Sequence, residues 1–214
     1  MGKIAAAVLL VSSLVAPAAA AEGPLLVRVR GVYISTADKS DAIPALGINS
    51  KDVISVSKKL IPEVDISYFI TPNLSAELIL TYPQKHDVKV NANGTKLDLG
   101  TFSHLPPVLS VQWHFLPGGV VNPYVGLGVN LTLITSQDLA VPLATPLELE
   151  ISKSSVGISG QLGVDVMVAP QWYLNADVKY VTLGVDVKVK SSGTKVSHAT
   201  VDPWLLGLGV GYRF

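Results

Sequence analysis

Four histidines, His86, His104, His114 and His198, are the residues of this chain best suited to holding a metal. None stands two or four positions from another, so no strand or helix face would present a ready pair of ligands. Lys85-His86-Asp87 is a compact charge cluster whose expected place is a solvated loop. Asp65 and Glu77 could work as a pair of carboxyls, but Arg28 and Arg30 are better partners for them, as structural ion pairs. Gly126-x-Gly128 and Gly207-x-Gly209-x-Gly211 look like pieces of a phosphate cradle. Their period of two sets them along one face of a strand, where they leave room for bulky neighbours. The chain has no cysteine, which removes thiolate metal sites and disulfides. No catalytic constellation, metal site or cofactor motif emerges, and the expectation is a protein that is not an enzyme.

The elements that carry these residues alternate at a period of two. In Val201 to Phe214, Trp204, Leu206, Leu208, Val210, Tyr212 and Phe214 form one face, and Leu205, Gly207, Gly209, Gly211 and Arg213 the other. Ten residue steps of strand tilted near 40°, from Trp204 to Phe214, span roughly 25 Å in height, that of the apolar band of an outer-membrane barrel. The same alternation predicts seven more strands, near 26–35, 59–70, 74–82, 107–115, 123–134, 155–168 and 172–183. Connections two-to-three, four-to-five and six-to-seven are short, while those near 36–58, 83–106, 135–154 and 184–203 are long. Alternating residues around Asn91-Ala-Asn-Gly94 and Ser191-Ser-Gly193 predict hairpins that continue above a bilayer. The fold expected is all-β, an eight-stranded antiparallel transmembrane β-barrel with short periplasmic turns and long extracellular loops.

Ahead of the barrel, Lys3, an apolar run from Ile4 to Val15 and Pro17-Ala-Ala-Ala-Ala21 read as a secretory signal peptide over residues 1–21. The barrel domain then spans 22–214. Without Lys3 the chain holds 15 basic and 16 acidic residues, a balance that argues against nucleic acid as a partner.

Alternation alone leaves open which face is outside, since a soluble barrel can turn its apolar face inward. Rings decide for lipid outside. Tyr68, Trp113, Phe115, Tyr212 and Phe214 cluster toward the short turns, and Tyr33, Tyr82, Tyr180 and Trp204 toward the long loops, a girdle at each interface. The opposite face mixes glycines with Arg28, Arg30, Glu63, Asp65, Glu77, Asp165, Asp177 and Lys179, which can pair inside a narrow lumen. Ile79 is an aliphatic residue on that otherwise polar face.

Several segments in order resemble the outer membrane protein W family and its alkane-uptake relatives. These are His104-Leu-Pro-Pro-Val-Leu-Ser-Val-Gln-Trp113, Pro123-Tyr-Val-Gly-Leu-Gly-Val-Asn130, Gly160-Gln-Leu-Gly-Val-Asp165, Tyr82-Pro83-Gln-Lys-His86, Asp202-Pro-Trp204 and Gly211-Tyr-Arg-Phe214. The resemblance implies a Gram-negative outer membrane, surrounded by lipid bilayer and lipopolysaccharide, and assembly by the machinery that reads a final aromatic such as Phe214. It also implies passive passage of small hydrophobic solutes, through an apolar funnel with an exit in the barrel wall. Ile79 falls at the floor of that funnel, and Pro83 and Pro106 would flank the loop beside the exit and disturb strand pairing there. Val156 stands where relatives carry a tryptophan facing that floor. Loop residues Ile43, Leu46, Val141 and Leu143 would line the funnel. The competing expectation is a closed, plugged barrel whose loops act as an adhesin or as a phage or toxin receptor, because eight-stranded barrels usually have filled interiors.

Overall fold

The computed structural model describes residues 23–36, 39–42, 54–92, 95–143 and 146–214. The expected signal peptide, Ile43, Leu46 and the Asn93-Gly94 turn lie outside the described residues. The described strands, in order, are β1 (Leu25–Ser35), β2 (Lys39–Ser40), β3 (Ile54–Val56), β4 (Lys59–Phe69) and β5 (Leu74–Leu80). Then come β6 (Gln84–Ala92), β7 (Thr95–Leu105), β8 (Val108–His114), β9 (Val121–Val141) and β10 (Leu147–Ile151). The chain ends with β11 (Ser154–Ala169), β12 (Trp172–Val181), β13 (Gly184–Val189), β14 (Lys195–Thr200) and β15 (Trp204–Arg213).

Eight of these close a ring. β1, β4, β5, β8, β9, β11, β12 and β15 pair with their neighbours in that order, antiparallel throughout, and β15 returns to β1. They are the eight strands expected from the alternation, with ends shifted by a few residues; β9 runs much further, to Val141. In this ring the apolar face is outside. Leu127 is 76% exposed, whereas Arg28, facing inward, is 0% exposed. Small residues face large ones across the wall: Arg28 stands opposite Gly211, and Arg30 opposite Gly209. A Cβ on Gly209 would sit 2.2 Å from the Val29 carbonyl oxygen and 2.7 Å from Arg30 Cγ, so only glycine lets that arginine fill the lumen.

The remaining strands build a second storey on the first. In order, β3, β6, β7, the upper part of β9, β10, β13, β14 and β2 form one continuous sheet. Its two ends approach each other, and the Ile54 N–H donates to Ser40 Oγ at 3.2 Å. Here the polarity is reversed. Val88, Val90, Leu99, Phe102, Leu139, Ile151 and Val187 face inward and pack as one apolar core. From β12 to β13 the inward positions keep their parity and only the residue types change, from Asn175, Asp177 and Lys179 to Val181, Val185 and Val187, whereas β7 and β9 carry bulges. The pairing of β7 with β9 skips a residue at Thr135, so inward positions change from Asn130 and Thr132 to Leu139 and Val141. The pairing of β6 with β7 skips Leu99, beside Gly100, whose φ of 108° is open to glycine. The hairpins expected above the bilayer are therefore present, but as members of a near-complete upper ring.

Candidate functional site

The lower lumen is filled. Arg28 bonds both oxygens of Asp165, at 3.0 and 2.6 Å, and also reaches Ser67 Oγ at 2.7 Å and Glu77 at 3.3 Å. Arg30 lies 2.7 Å from Glu63, 2.5 Å from Asp65 and 3.3 Å from Asp177, and Lys179 approaches Glu63 at 3.7 Å. Tyr124 lies under the Arg28 guanidinium at 5.3 Å, and its ring occupies the space a Cβ on Gly163 would need. The lumen charges expected from sequence thus meet as one plug, with the carboxyls paired to arginine rather than to each other. His114 belongs to the same layer. Its ring contacts Tyr124 and Phe69, and its nitrogens lie within hydrogen-bond distance of Ser75, Gln112 and Asn122.

Above the plug the lumen turns apolar. A narrow cavity with about 50 Å³ of free space lies among Ile34, Ile61, Ile79, Phe102, Val181 and Leu205, with Glu63 and Lys179 at its polar end. A second, of about 40 Å³, continues among the inward residues of the upper ring, and Val56, Phe102 and Val201 line both. A larger concavity of about 660 Å³ lies chiefly among outward residues such as Val111, Trp113, Leu127 and Leu162, where acyl chains belong.

Beside this column the wall is incompletely laddered. β4 pairs with β1 as far up as Lys59, but with β5 only as far as Val64 opposite Leu80. Between Lys59–Glu63 and Thr81–Lys85 the described contacts are made by side chains. Thr81 Oγ1 donates to the Pro62 carbonyl at 3.2 Å, and the Lys59 ammonium donates to the Lys85 carbonyl. Gln84 Nε2 donates to the Tyr82 carbonyl at 2.7 Å, holding the turned chain. The upper margin is a bond from the Ser57 N–H to the Asp87 carbonyl, 3.3 Å long. In an antiparallel strand the N and O of one residue point the same way. The Pro62 carbonyl faces Thr81, so the donor that proline lacks is missing on the side of this seam.

The expected site residues divide. Ile79 lies in the column, paired across the wall with Asp65 on one side and Val108 on the other. Pro106 lines the same cavity, and Pro83 is exposed beside the seam. Val156 requires a correction: it is 72% exposed and faces lipid, while Ser155 and Gly157 alternate with it on the other face. The side-chain period of two makes a one-residue offset a change of face. Val141 is buried in the upper core, but Leu143 is 54% exposed and does not line the column. Lys85-His86-Asp87 is a second correction, because His86 is buried against Phe102 and His104 instead of lying in a solvated loop. Pro62 was missed; its signal was a proline inside an otherwise regular alternation. Trp172 was also missed, although it stacks edge-on against Tyr212 at 5.1 Å in the lower girdle. Phe214 does the same at 4.9 Å. Tyr180 and Trp204 pair at 5.0 Å in the upper girdle, and Tyr33, Tyr68, Tyr82 and Trp113 point outward.

The environment of the upper histidines favours neutral rings. Burial lowers His86 from its ordinary value, and the Lys59 ammonium works in the same direction, against its bond to the Ser57 backbone. Burial, then His86 and Lys59, push His104 down to about 4. His198, by contrast, sits outside the column with Nδ1 2.6 Å from Asp186. Among the described residues no group of three potential ligands converges as a metal site.

Comparison with known proteins agrees with this architecture. An uncharacterized outer-membrane protein of Sinorhizobium fredii, y4mB, is 39% identical, covering 98% of this chain and 90% of that protein. The crystal structure of the outer membrane protein OprG from Pseudomonas aeruginosa superposes with a TM-score of 0.76 at 24% identity, over 90% of this chain and 97% of that one. The solid-state NMR structure of the outer membrane protein AlkL in DMPC bilayers gives 0.69 at 22% identity, over 95% and 97%. Barrel, girdles and relatives together place the protein in the outer membrane of a Gram-negative bacterium. The OmpW family model matches residues 21–214, and the chain belongs to that family.

Proposed function

We propose that the protein admits small hydrophobic solutes passively, through the apolar column of the upper ring and out sideways through the seam between β4 and β5. The observation that carries this reading is the coincidence of three features at one level. The apolar column ends there, the charged plug begins there, and the wall there lacks a backbone ladder. A solute reaching Ile79 meets buried ion pairs below, whose disruption costs about 3–5 kcal/mol. Sideways it meets only side-chain contacts and then lipid. The small free volume means that a solute enters by displacing side chains rather than by filling an open pore. The column would carry apolar molecules past the polar lipopolysaccharide leaflet, and no cofactor takes part. Residues 1–21 would direct export, and Phe214 would present the final strand to the assembly machinery.

The plug gives some support to the competing reading, a closed barrel whose extracellular loops bind a host surface, phage or toxin. Locking the seam separates the two. Extending the β4–β5 register two residues past Val64–Leu80 would set Tyr82 opposite Pro62, and both are exposed. The pair Pro62→Cys and Tyr82→Cys, in a chain with no other cysteine, places two thiols for oxidation on either side of the seam. Entry of a small apolar fluorophore, beside a sugar of similar size, is measured in cells with the oxidised and reduced protein. Apolar entry above that of cells lacking the protein, lost on oxidation and restored by reductant, is expected. Apolar entry equal to that of barrel-free cells in every state would sink transport and leave the closed barrel.

A further inference from the structure

The apolar column holds one feature that a simple hydrophobic passage does not need. His86 and His104 both reach into it, with their rings 5.0 Å apart and nearly parallel, and Phe102 stacks on both. His86 is 2% exposed and His104 8%. His86 Nδ1 lies 3.0 Å from the Ser57 carbonyl oxygen, which can only accept, so Nδ1 carries the proton. In a neutral ring Nε2 is then a bare acceptor, and it is buried without a partner. His104 Nδ1 is likewise buried and unpartnered. Buried polar groups are normally satisfied, so two orphans in one cavity call for an occupant.

The chemistry of the orphans selects among occupants. A ketone, ether or ester offers Nε2 no proton. A carboxylate would need a protonated ring, which burial opposes, and it would approach a plug where Glu63, Asp65, Glu77, Asp165 and Asp177 outnumber Arg28, Arg30 and Lys179. Shared metal binding needs lone pairs that converge at about 2.0–2.1 Å, and rings inclined by only 25° with no third ligand serve that poorly. A hydroxyl fits, because it donates to Nε2 and keeps a lone pair for a neighbouring N–H. Resting on the reading of the column as a solute path, we infer that His86 and His104 form a polar station selecting apolar solutes that carry one hydroxyl, such as alcohols and phenols.

The test compares 2-naphthol with 2-methoxynaphthalene, which share the ring system and differ in the donor. Entry is followed in cells with the intact protein, and ring ¹⁵N resonances of His86 are followed in the purified protein in lipid nanodiscs. Relative to barrel-free cells, the protein should accelerate naphthol about fivefold more than the ether, the worth of one net hydrogen bond. Naphthol alone should shift the His86 Nε2 resonance. His86→Phe should bring the two compounds level while the ether still enters faster than in barrel-free cells. Equal acceleration of both compounds by the unaltered protein, or an Nε2 resonance that ignores naphthol, overturns the station and leaves the apolar path standing. Acceleration of neither overturns both. The ¹⁵N measurement on the unaltered protein decides even where His86→Phe fails to assemble.

Discussion

Arg28→Met tests whether the plug holds the barrel together and whether solutes avoid it. Arg28 is fully buried and supplies four hydrogen bonds, two to Asp165, one to Ser67 and one to Glu77. After truncation Asp165 keeps a bond from Asn175 at 2.9 Å, and Glu77 one from Gln161 at 2.9 Å. Each carboxyl is thus left partly satisfied in a buried layer, and breaking such a buried set costs about 3–5 kcal/mol. That is on the order of a hundredfold to several thousandfold in the folding equilibrium. Neutralising the partners as well, in Arg28→Met with Glu77→Gln and Asp165→Asn, should recover most of the loss, because much of the cost lies in abandoned charge. The assay is urea unfolding of the protein in lipid vesicles, read by tryptophan fluorescence; Trp113, Trp172 and Trp204 all sit in the lipid-facing girdles. A loss below about 1 kcal/mol, or a triple variant no more stable than the single, would refute the energetic reasoning. Entry of the apolar probe per folded molecule should stay unchanged in Arg28→Met. Should it rise together with entry of the sugar, the path runs through the plug.

Three further outcomes follow from named contacts. Gly209→Ala sets a Cβ against the Val29 carbonyl oxygen and Arg30 Cα, both backbone, so it should destabilise by about 1–3 kcal/mol, seen as weakening of the compact band in unheated gel electrophoresis. Phe214→Ala removes the edge-on contact with Tyr212 and the final ring, and should lower the amount recovered in the outer membrane; unchanged recovery would discard the role in assembly. His104 resists protonation in the folded state, with its value near 4 against 6.5 unfolded, so stability should fall as pH drops through 6.5 and level off below about 4. The loss is at most about 3 kcal/mol, and His104→Phe should flatten that part of the urea-midpoint profile.

The membrane ring was legible because two solvents write a strict code on each strand. Lipid selects Leu127, Leu109 and Leu208 on one face, and the packed lumen selects Arg28, Glu77 and Gly209 on the other. The upper ring was less legible for a physical reason. Val88-Lys89-Val90 and Val185-Asp186-Val187 alternate as clearly, but water replaces lipid outside, so the apolar face turns inward. Nothing in the alternation marks where the solvent changes. On β9 the bulge at Thr135 exchanges the faces there, but from β12 to β13 the inward positions keep their parity and only their residue types change. The site suffered from the same sensitivity. Val156 landed on lipid by an offset of one, and His86 took its character from Phe102 and His104, sixteen and eighteen positions further along the chain.

The reversal of polarity also explains why a plug and an apolar column can share one barrel. Along β9 the inward residues pass from Tyr124, Asn130 and Thr132 to Leu139 and Val141 without the strand ending. The strand is continuous while its inward side changes from polar to apolar. For an apolar solute on the proposed path, each step inward from the loops exchanges water for hydrocarbon-like contacts. The next step down would exchange those contacts for paired charges that must separate to admit it. The step sideways exchanges them for acyl chains, which are equally apolar. A prolyl residue at position 62 removes a ladder donor at that level and on that side, and Thr81 and Lys59 hold the seam with side chains that can rotate away. The driving force on this path needs no energy source, because the lipid interior itself is the sink.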